Sequence, residues 1–292
     1  MTKTFSPSEA ALSVFELAKR QPQFVLRFCI IYALTFIATY ALMAATGVNK
    51  ALVVYTGLTA GGRMPSPERI MEVLSPAGPG FLIFLIFALL VSAVTSAMGL
   101  RKAVLDEETG LFGLSFGKDE INLLVAMLII VSGLFAVNML VGLIGTIVTG
   151  GNFALMFLVV LVSIIAMCAV SIRFSQFGVL TIANQQIAVA QSWRETKGQS
   201  WRFIGAYLLW IVIATIIGLI FQSLGGIGAA AMGVKIGNGL PETFAIFFKP
   251  GWLFYTLVYG LASGFSNLGM ICIGAYAWHQ MRGDLPAPKS SL

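Results

Sequence analysis

The sequence predicts an all-α, polytopic membrane helix bundle with six transmembrane helices. Three observations predict it. The chain is 58% apolar and only 10% charged, whereas ordinary soluble domains carry about 25% charged residues. Six apolar runs come close to, or exceed, the roughly 20 residues that cross a bilayer. The basic residues also divide unevenly between alternate connecting segments. A chain this poor in polar side chains cannot clothe a globule in water, so its apolar surface needs hydrocarbon as a second solvent.

The runs cover residues 24–45, 80–100, 121–145, 153–170, 203–224 and 252–276, and they make one membrane domain of residues 1–292. The first run contains Arg27, near enough to its end for the guanidinium to reach the headgroups. The fourth stays fairly apolar past Arg173, so its helix is free to run on beyond the bilayer. A polar, charged stretch precedes the first run, which is therefore expected to stay as a span rather than be removed as a signal peptide. With the N-terminus in the cytoplasm, thirteen of the eighteen Lys and Arg residues fall on the inner side. Lys50, Arg63, Arg69, Lys235 and Lys249 fall outside. This positive-inside bias predicts that both termini are cytoplasmic.

Two inner segments read as amphipathic helices. In residues 6–21, Ser6 and Glu9 form a capping box around Pro7, and Ala11, Val14, Phe15 and Ala18 share a face. Lys19 and Arg20 close its last turn before Pro22. Such a helix either lies flat on the inner leaflet or packs on the ends of the spans. Residues 182–198 follow the same plan. Ile182, Val189, Ala190 and Trp193 share a face, Arg194 and Lys197 fill the last turn, and Gly198 is a C-cap. In each case an aromatic, an arginine and a span follow: Phe24 and Arg27 in the first, Trp201 and Arg202 in the second. The two stretches read either as a weak internal repeat or as convergence on a common interfacial solution. Tryptophans favour the headgroup layer and basic residues meet anionic lipid there. Lys19, Arg20, Arg27, Trp193, Arg194, Lys197, Trp201 and Arg202 are therefore the expected headgroup-facing residues.

Between the spans, residues 66–74 read as a short helix capped by Ser66 with Pro67 first. The acids Asp106, Glu107 and Glu108 read as solvated charge in a short hairpin. The glycine-rich stretch 225–242 has neither a preceding strand nor a P-loop pattern, and reads as a surface or re-entrant loop.

Chemistry inside the spans is sparse. No Asp or Glu lies in any run, Cys29, Cys168 and Cys272 are apolar fillers, and His279 has no ligand or nucleophile partner in sequence. No catalytic residue, metal site or cofactor is expected. Asn138 and Asn267 read as interhelical hydrogen-bonding groups, and Gly142, Gly145, Gly260 and Gly264 as small residues at packing seams.

The pattern S-W-R-x-T-K-G-x-x-W-R-F, carried by Ser192, Trp193, Thr196, Lys197, Gly198 and Trp201, resembles a feature of uncharacterised six-span bacterial inner-membrane proteins. They are similar to the membrane domain that accompanies bacterial glycerophosphodiester phosphodiesterases. The catalytic phosphodiesterase domain has no counterpart in the chain, so that activity is not implied. The resemblance implies a multi-pass bacterial inner-membrane protein with a role in lipid or envelope upkeep.

The expected function is therefore non-enzymatic: binding or organising lipid or amphipathic ligands. The alternatives are a structural or assembly subunit of a larger membrane complex, and a transporter or channel for a small or amphipathic solute. The expected partners are membrane lipids, with other membrane proteins or a second copy of the chain as further candidates, and no nucleic acid. The orientation is tested with labels at the two ends, which are expected to react only after cells are permeabilised. Labelling of either end in intact cells overturns it.

Overall fold

The computed structural model describes residues 4–59, 66–110, 112–149, 153–234, 236, 241 and 243–282. Its described residues are helical with no extended strand. The helices are α1 (Pro7–Arg20), α2 (Pro22–Ala45), α3 (Val48–Thr59), α4 (Pro67–Leu74), α5 (Gly78–Leu105) and α6 (Lys118–Thr149). They continue with α7 (Phe153–Arg173), α8 (Phe177–Asn184), α9 (Val189–Glu195), α10 (Ser200–Ala231), α11 (Phe244–Phe247) and α12 (Pro250–Arg282). Among the described residues, six helical stretches are long and apolar enough to cross a membrane, and they fall on α2, α5, α6, α7 with α8, α10 and α12. At 1.5 Å per residue, the 32 residues of α6 and of α10 extend about 48 Å. The hydrocarbon core is about 30 Å thick, so each has several turns to place beyond it.

Local chemistry sets the helix ends. Pro22 starts α2 at a position where its missing N–H loses nothing. Ser66 Oγ accepts the Arg69 N–H at 3.3 Å and caps α4, which passes through one 3₁₀ turn, Ser75–Ala77, into α5. Gly47, at φ +76°, turns the chain from α2 straight into α3, a helix too short to span. Two expectations are corrected here. The first concerns residues 225–231, which belong to α10 rather than to a loop. A Cβ at Gly225 would press on Tyr255 and Val258, and one at Gly228 on the Phe254 ring. These glycines make room for α12's side chains. Of the remainder of that stretch, residues 235, 237–240 and 242 lie outside the described residues.

The second correction concerns residues 182–198. They are not one helix. α8 ends at Asn184, Gln185 takes a left-handed conformation (φ 52°), and α9 begins only at Val189. Ile182 and Val189 therefore share no helical face. Gly198, at φ +85°, turns the chain towards α10.

The chain groups into two compact units. One comprises Leu17–Thr95 and Ile211–Leu268. In it α12 packs closely on α2: a Cβ at Gly260 would lie 2.8 Å from the Ala33 Cα, and one at Gly264 would lie 3.1 Å from the Cys29 Cα. Such approaches are open only to small residues. Phe36, Tyr40, Tyr255 and Tyr259 form an aromatic ladder beside this contact. Asn49, fully buried, donates to the Pro241 carbonyl at 3.1 Å.

The other unit comprises Met1–Glu16, Ser96–Trp210 and Gly269–Leu292. Its core gathers Leu100, Leu123, Val179, Leu180, Ile182 and Trp278 from α5, α6, α8 and α12. α1 is held in this unit by protein contacts. Phe5 packs on Phe203 at 4.8 Å between ring centroids, Phe15 meets Trp210 edge-on, and the Tyr276 hydroxyl donates to the Glu9 carboxylate. Ala10, Ala11 and Val14 are fully buried, so this face of α1 meets protein rather than lipid. Because Glu9 turns to Tyr276, the capping box is half made: Ser6 Oγ accepts the Glu9 N–H at 3.5 Å.

An ionic clasp joins the end of α5 to the start of α6. Arg101, buried, donates through Nη2 to Glu120 Oε1 at 2.5 Å, through Nη1 to Ser115 Oγ at 2.7 Å and through Nε to Asp119 Oδ2 at 3.2 Å. Glu120, also buried, further accepts from Ser115 Oγ at 2.7 Å and from the Gly117 N–H at 2.9 Å. Lys102 pairs with Asp106 and Glu108 across the same loop, so two of the three loop acids are ion-paired rather than simply solvated. Removing one partner of a buried, hydrogen-bonded pair strands the other. Glu120→Ala is expected to cost about 3 kcal/mol, read by thermal unfolding in mild detergent, and Arg101→Met with Glu120→Leu to recover most of it. Unchanged unfolding of Glu120→Ala would show the clasp to be idle.

Candidate functional site

α6 and α7 form a hairpin whose side chains are largely exposed: Phe135, Val137, Leu140 and Leu143 on one helix, Phe157, Leu161 and Ile165 on the other. The two meet closely at Gly145, where a Cβ would lie 2.8 Å from Val159 Cγ1. Between that contact and the end of α7 lies a cavity of about 330 Å³. Ile130, Leu134 and Val141 of α6 face Ala166, Met167 and Val170 of α7 across it, and Phe174 with Val189 close its end. Thirteen residues of α6, from Ile129 to Val141, run along it, about 18 Å of helix from first to last. This is more than half the depth of a bilayer's hydrocarbon. The lining is apolar except for Asn138 and Ser163, and Ser163 Oγ donates within its own helix to the Val159 carbonyl at 2.6 Å.

The residues of the S-W-R-x-T-K-G pattern sit just beyond Phe174 and Val189, where α9 returns onto the end of α7. α7 stops at Arg173, leaving carbonyls with no helical partner. α9 and the residue after it supply the last one: Ser192 Oγ donates to the Arg173 carbonyl at 2.9 Å, and Thr196 Oγ1 at 3.1 Å. Both side chains are fully buried. Pinned in this way, Trp193 packs on Phe174 with the rings tilted, 5.4 Å between centroids, and lies under the Arg173 guanidinium at 5.7 Å. The Arg173 side chain is half-buried. Its Nη1 is enclosed, with no acceptor among the described residues.

The expected headgroup-facing residues separate into classes. Lys19, Arg20, Arg194 and Lys197 are exposed, and Trp201 is 83% exposed. Trp193 is partly covered by its stack with Phe174 and Arg173. Arg27 is half-buried, with Nε enclosed. Arg202 is half-buried, and its Nη1 donates to the Phe5 carbonyl at 2.6 Å, which anchors the N-terminal segment. The two halves of the weak repeat also diverge, because Phe24 is buried where Trp201 is exposed.

The expected packing residues separate too. Gly145, Gly260 and Gly264 sit at close helix contacts. Gly142 does not, since a Cβ there would meet no described atom within 4 Å. Asn138 lines the cavity, and Asn267 Oδ1 is buried without a hydrogen-bond partner among the described residues. His279 Nε2 lies 3.3 Å from the Ala103 carbonyl. Cys29 and Cys272 are buried, whereas Cys168 on α7 is exposed.

A second cavity, about 490 Å³, lies in the other unit among Val25, Leu26, Ile217, Phe221, Leu261 and Phe265. No charged or amide side chain lines it, so nothing in it would orient a polar head. The cavity of α6 and α7 combines apolar walls with a guanidinium beside its closed end, and Arg173 was the residue sequence reasoning missed. In sequence it is a boundary cation like any other. Only the return of α9 onto the end of α7 sets it against Trp193.

No family model, curated protein or solved structure matches the chain. The cap is tested by Ser192→Ala with Thr196→Val. Leaving the partly buried Arg173 carbonyl without these donors is expected to cost about 2 kcal/mol, seen as earlier thermal unfolding and faster proteolysis at residues 185–188. Wild-type behaviour in both assays would assign these hydroxyls no capping role.

Proposed function

We propose that the chain is a non-enzymatic, multi-pass membrane protein that holds a lipid or similar amphipathic molecule at the cytoplasmic face of a bacterial inner membrane. The single observation that carries this reading is the cavity between α6 and α7, apolar for about 18 Å of helix and ending beside an aromatic–guanidinium cluster. Hydrocarbon enters such a cleft without losing hydrogen bonds, because the cleft has almost none to satisfy. A charged or strongly polar solute would be desolvated there with little return. Water and polar solutes are thus poor occupants, and a chain of methylenes is a good one.

Further support comes from the exposed Arg194, Lys197 and Trp201 just beyond, residue types suited to the layer where anionic lipid meets water. The resemblance of residues 192–203 to the membrane domain that accompanies glycerophosphodiester phosphodiesterases supports the bacterial inner-membrane setting and a part in envelope upkeep. Ala166→Phe puts a ring into the cavity and tests the reading. In native mass spectrometry from mild detergent, wild type is expected to carry a bound lipid through purification and the variant to lose most of it. Equal lipid retention by the two proteins overturns the assignment of the cavity.

A further inference from the structure

We infer that Arg173 seats the headgroup of an anionic phospholipid whose acyl chain lies between α6 and α7. The inference rests on the lipid-holding reading above and adds which lipid is held and by what.

Four observations converge on it. First, the Arg173 Nη1 is enclosed yet finds no acceptor among the described residues. Arg101 in the same unit shows the contrast: all three of its guanidinium nitrogens meet oxygen within 3.2 Å. A covered guanidinium N–H without an acceptor calls for an explanation, and an incoming oxyanion supplies one.

Second, the position is right for a molecule with a tail. Val170, one turn before Arg173, and Phe174, the next residue, both line the cavity. A headgroup on the guanidinium therefore starts its chain at the closed end. Third, the surroundings are cationic. Arg194 and Lys197 are exposed on the adjoining α9 and its following turn, while the carboxylate among them, Glu195, already accepts from Gln191 Nε2 at 2.6 Å. Fourth, the seat is preorganised. Trp193 supports the guanidinium face, and α9 is fixed by its two hydroxyl caps. The guanidinium's fork of N–H donors matches the oxygens of a phosphate. A zwitterionic head brings its own cation into a region already positive; an anionic head does not. The charge pattern therefore selects dioleoyl phosphatidylglycerol over dioleoyl phosphatidylcholine, although their tails are identical.

The test offers the full-length protein in mild detergent an equal mixture of these two lipids and counts the retained adducts by native mass spectrometry. Wild type is expected to prefer phosphatidylglycerol by about tenfold, because both heads offer the same phosphate but only choline adds a cation beside Arg173, Arg194 and Lys197. Arg173→Gln is expected to keep a bound lipid but to lose that preference, and Arg173→Lys to keep part of it. A wild-type protein that holds both lipids equally overturns the headgroup seat and leaves the lipid-holding reading standing. An undiminished preference in Arg173→Gln places the seat elsewhere and overturns the role of Arg173. If wild type retains neither lipid, or Ala166→Phe retains as much as wild type, the cavity reading fails and the inference fails with it. Thermal unfolding of each variant guards against misfolding, and the wild-type comparison stands without any variant.

Discussion

A peptide group in hydrocarbon has no water to turn to, so each must close its hydrogen bond inside the protein. That constraint governs where this chain can leave its helices. Along a span the i to i−4 ladder satisfies every donor and acceptor, and the sequence needs only to stay apolar. At each exit something else has to take over. Two hydroxyls from α9 do so at the end of α7, Ser66 does so at the start of α4, and Ser115 with Gly117 lead into α6 through the carboxylate of Glu120. Polar side chains are few in this protein, and those that are buried concentrate at such exits: Arg101, Glu120, Thr181, Ser192 and Thr196.

The two arginines of this region resolve the same electrostatic problem in different ways. Arg101 sits in a complete shell of oxygens and ties α5 to α6. Its burial is answered within the protein, which is a structural solution. Arg173 has a ring on one side and an enclosed nitrogen with no acceptor among the described residues. The first arrangement stabilises one conformation. The second leaves one guanidinium nitrogen unanswered among the described residues, beside an apolar cleft. Arg202 takes a third course by engaging the Phe5 carbonyl, so a basic residue next to an exposed tryptophan serves the N-terminal segment.

The six long helices were legible because length and apolarity are local properties, and the cap at Ser66 and the stop of α1 at Pro22 were legible because cap and breaker chemistry is local too. The errors have physical causes of the opposite kind. A glycine cluster in water signals a loop, but in α10 the same glycines admit the rings of Phe254 and Tyr255. The break at Gln185 was hidden because a non-glycine residue adopts the left-handed conformation there, which composition does not announce. Gly142 and Gly145 look alike in sequence, and only the position of Val159 makes one a contact and the other not. The cavity was invisible because it depends on where α6 and α7 touch and on α9 folding back. The residues of the S-W-R-x-T-K-G pattern were noticed, but Ser192 and Thr196 hold the backbone of another helix, a role that no spacing rule reveals.

Cys168 adds an experimental opening. Its neighbour Met167 lines the cleft, and of the three sulfhydryls it alone is exposed, since those at 29 and 272 are buried. Alkylation proceeds through the thiolate, which forms only where water can stabilise it. The rate at which this native sulfur reacts is therefore a hydration gauge for α7: slow when hydrocarbon surrounds it, faster whenever water rises along the helix. The unaltered protein thus carries its own reporter of how wet that surface becomes.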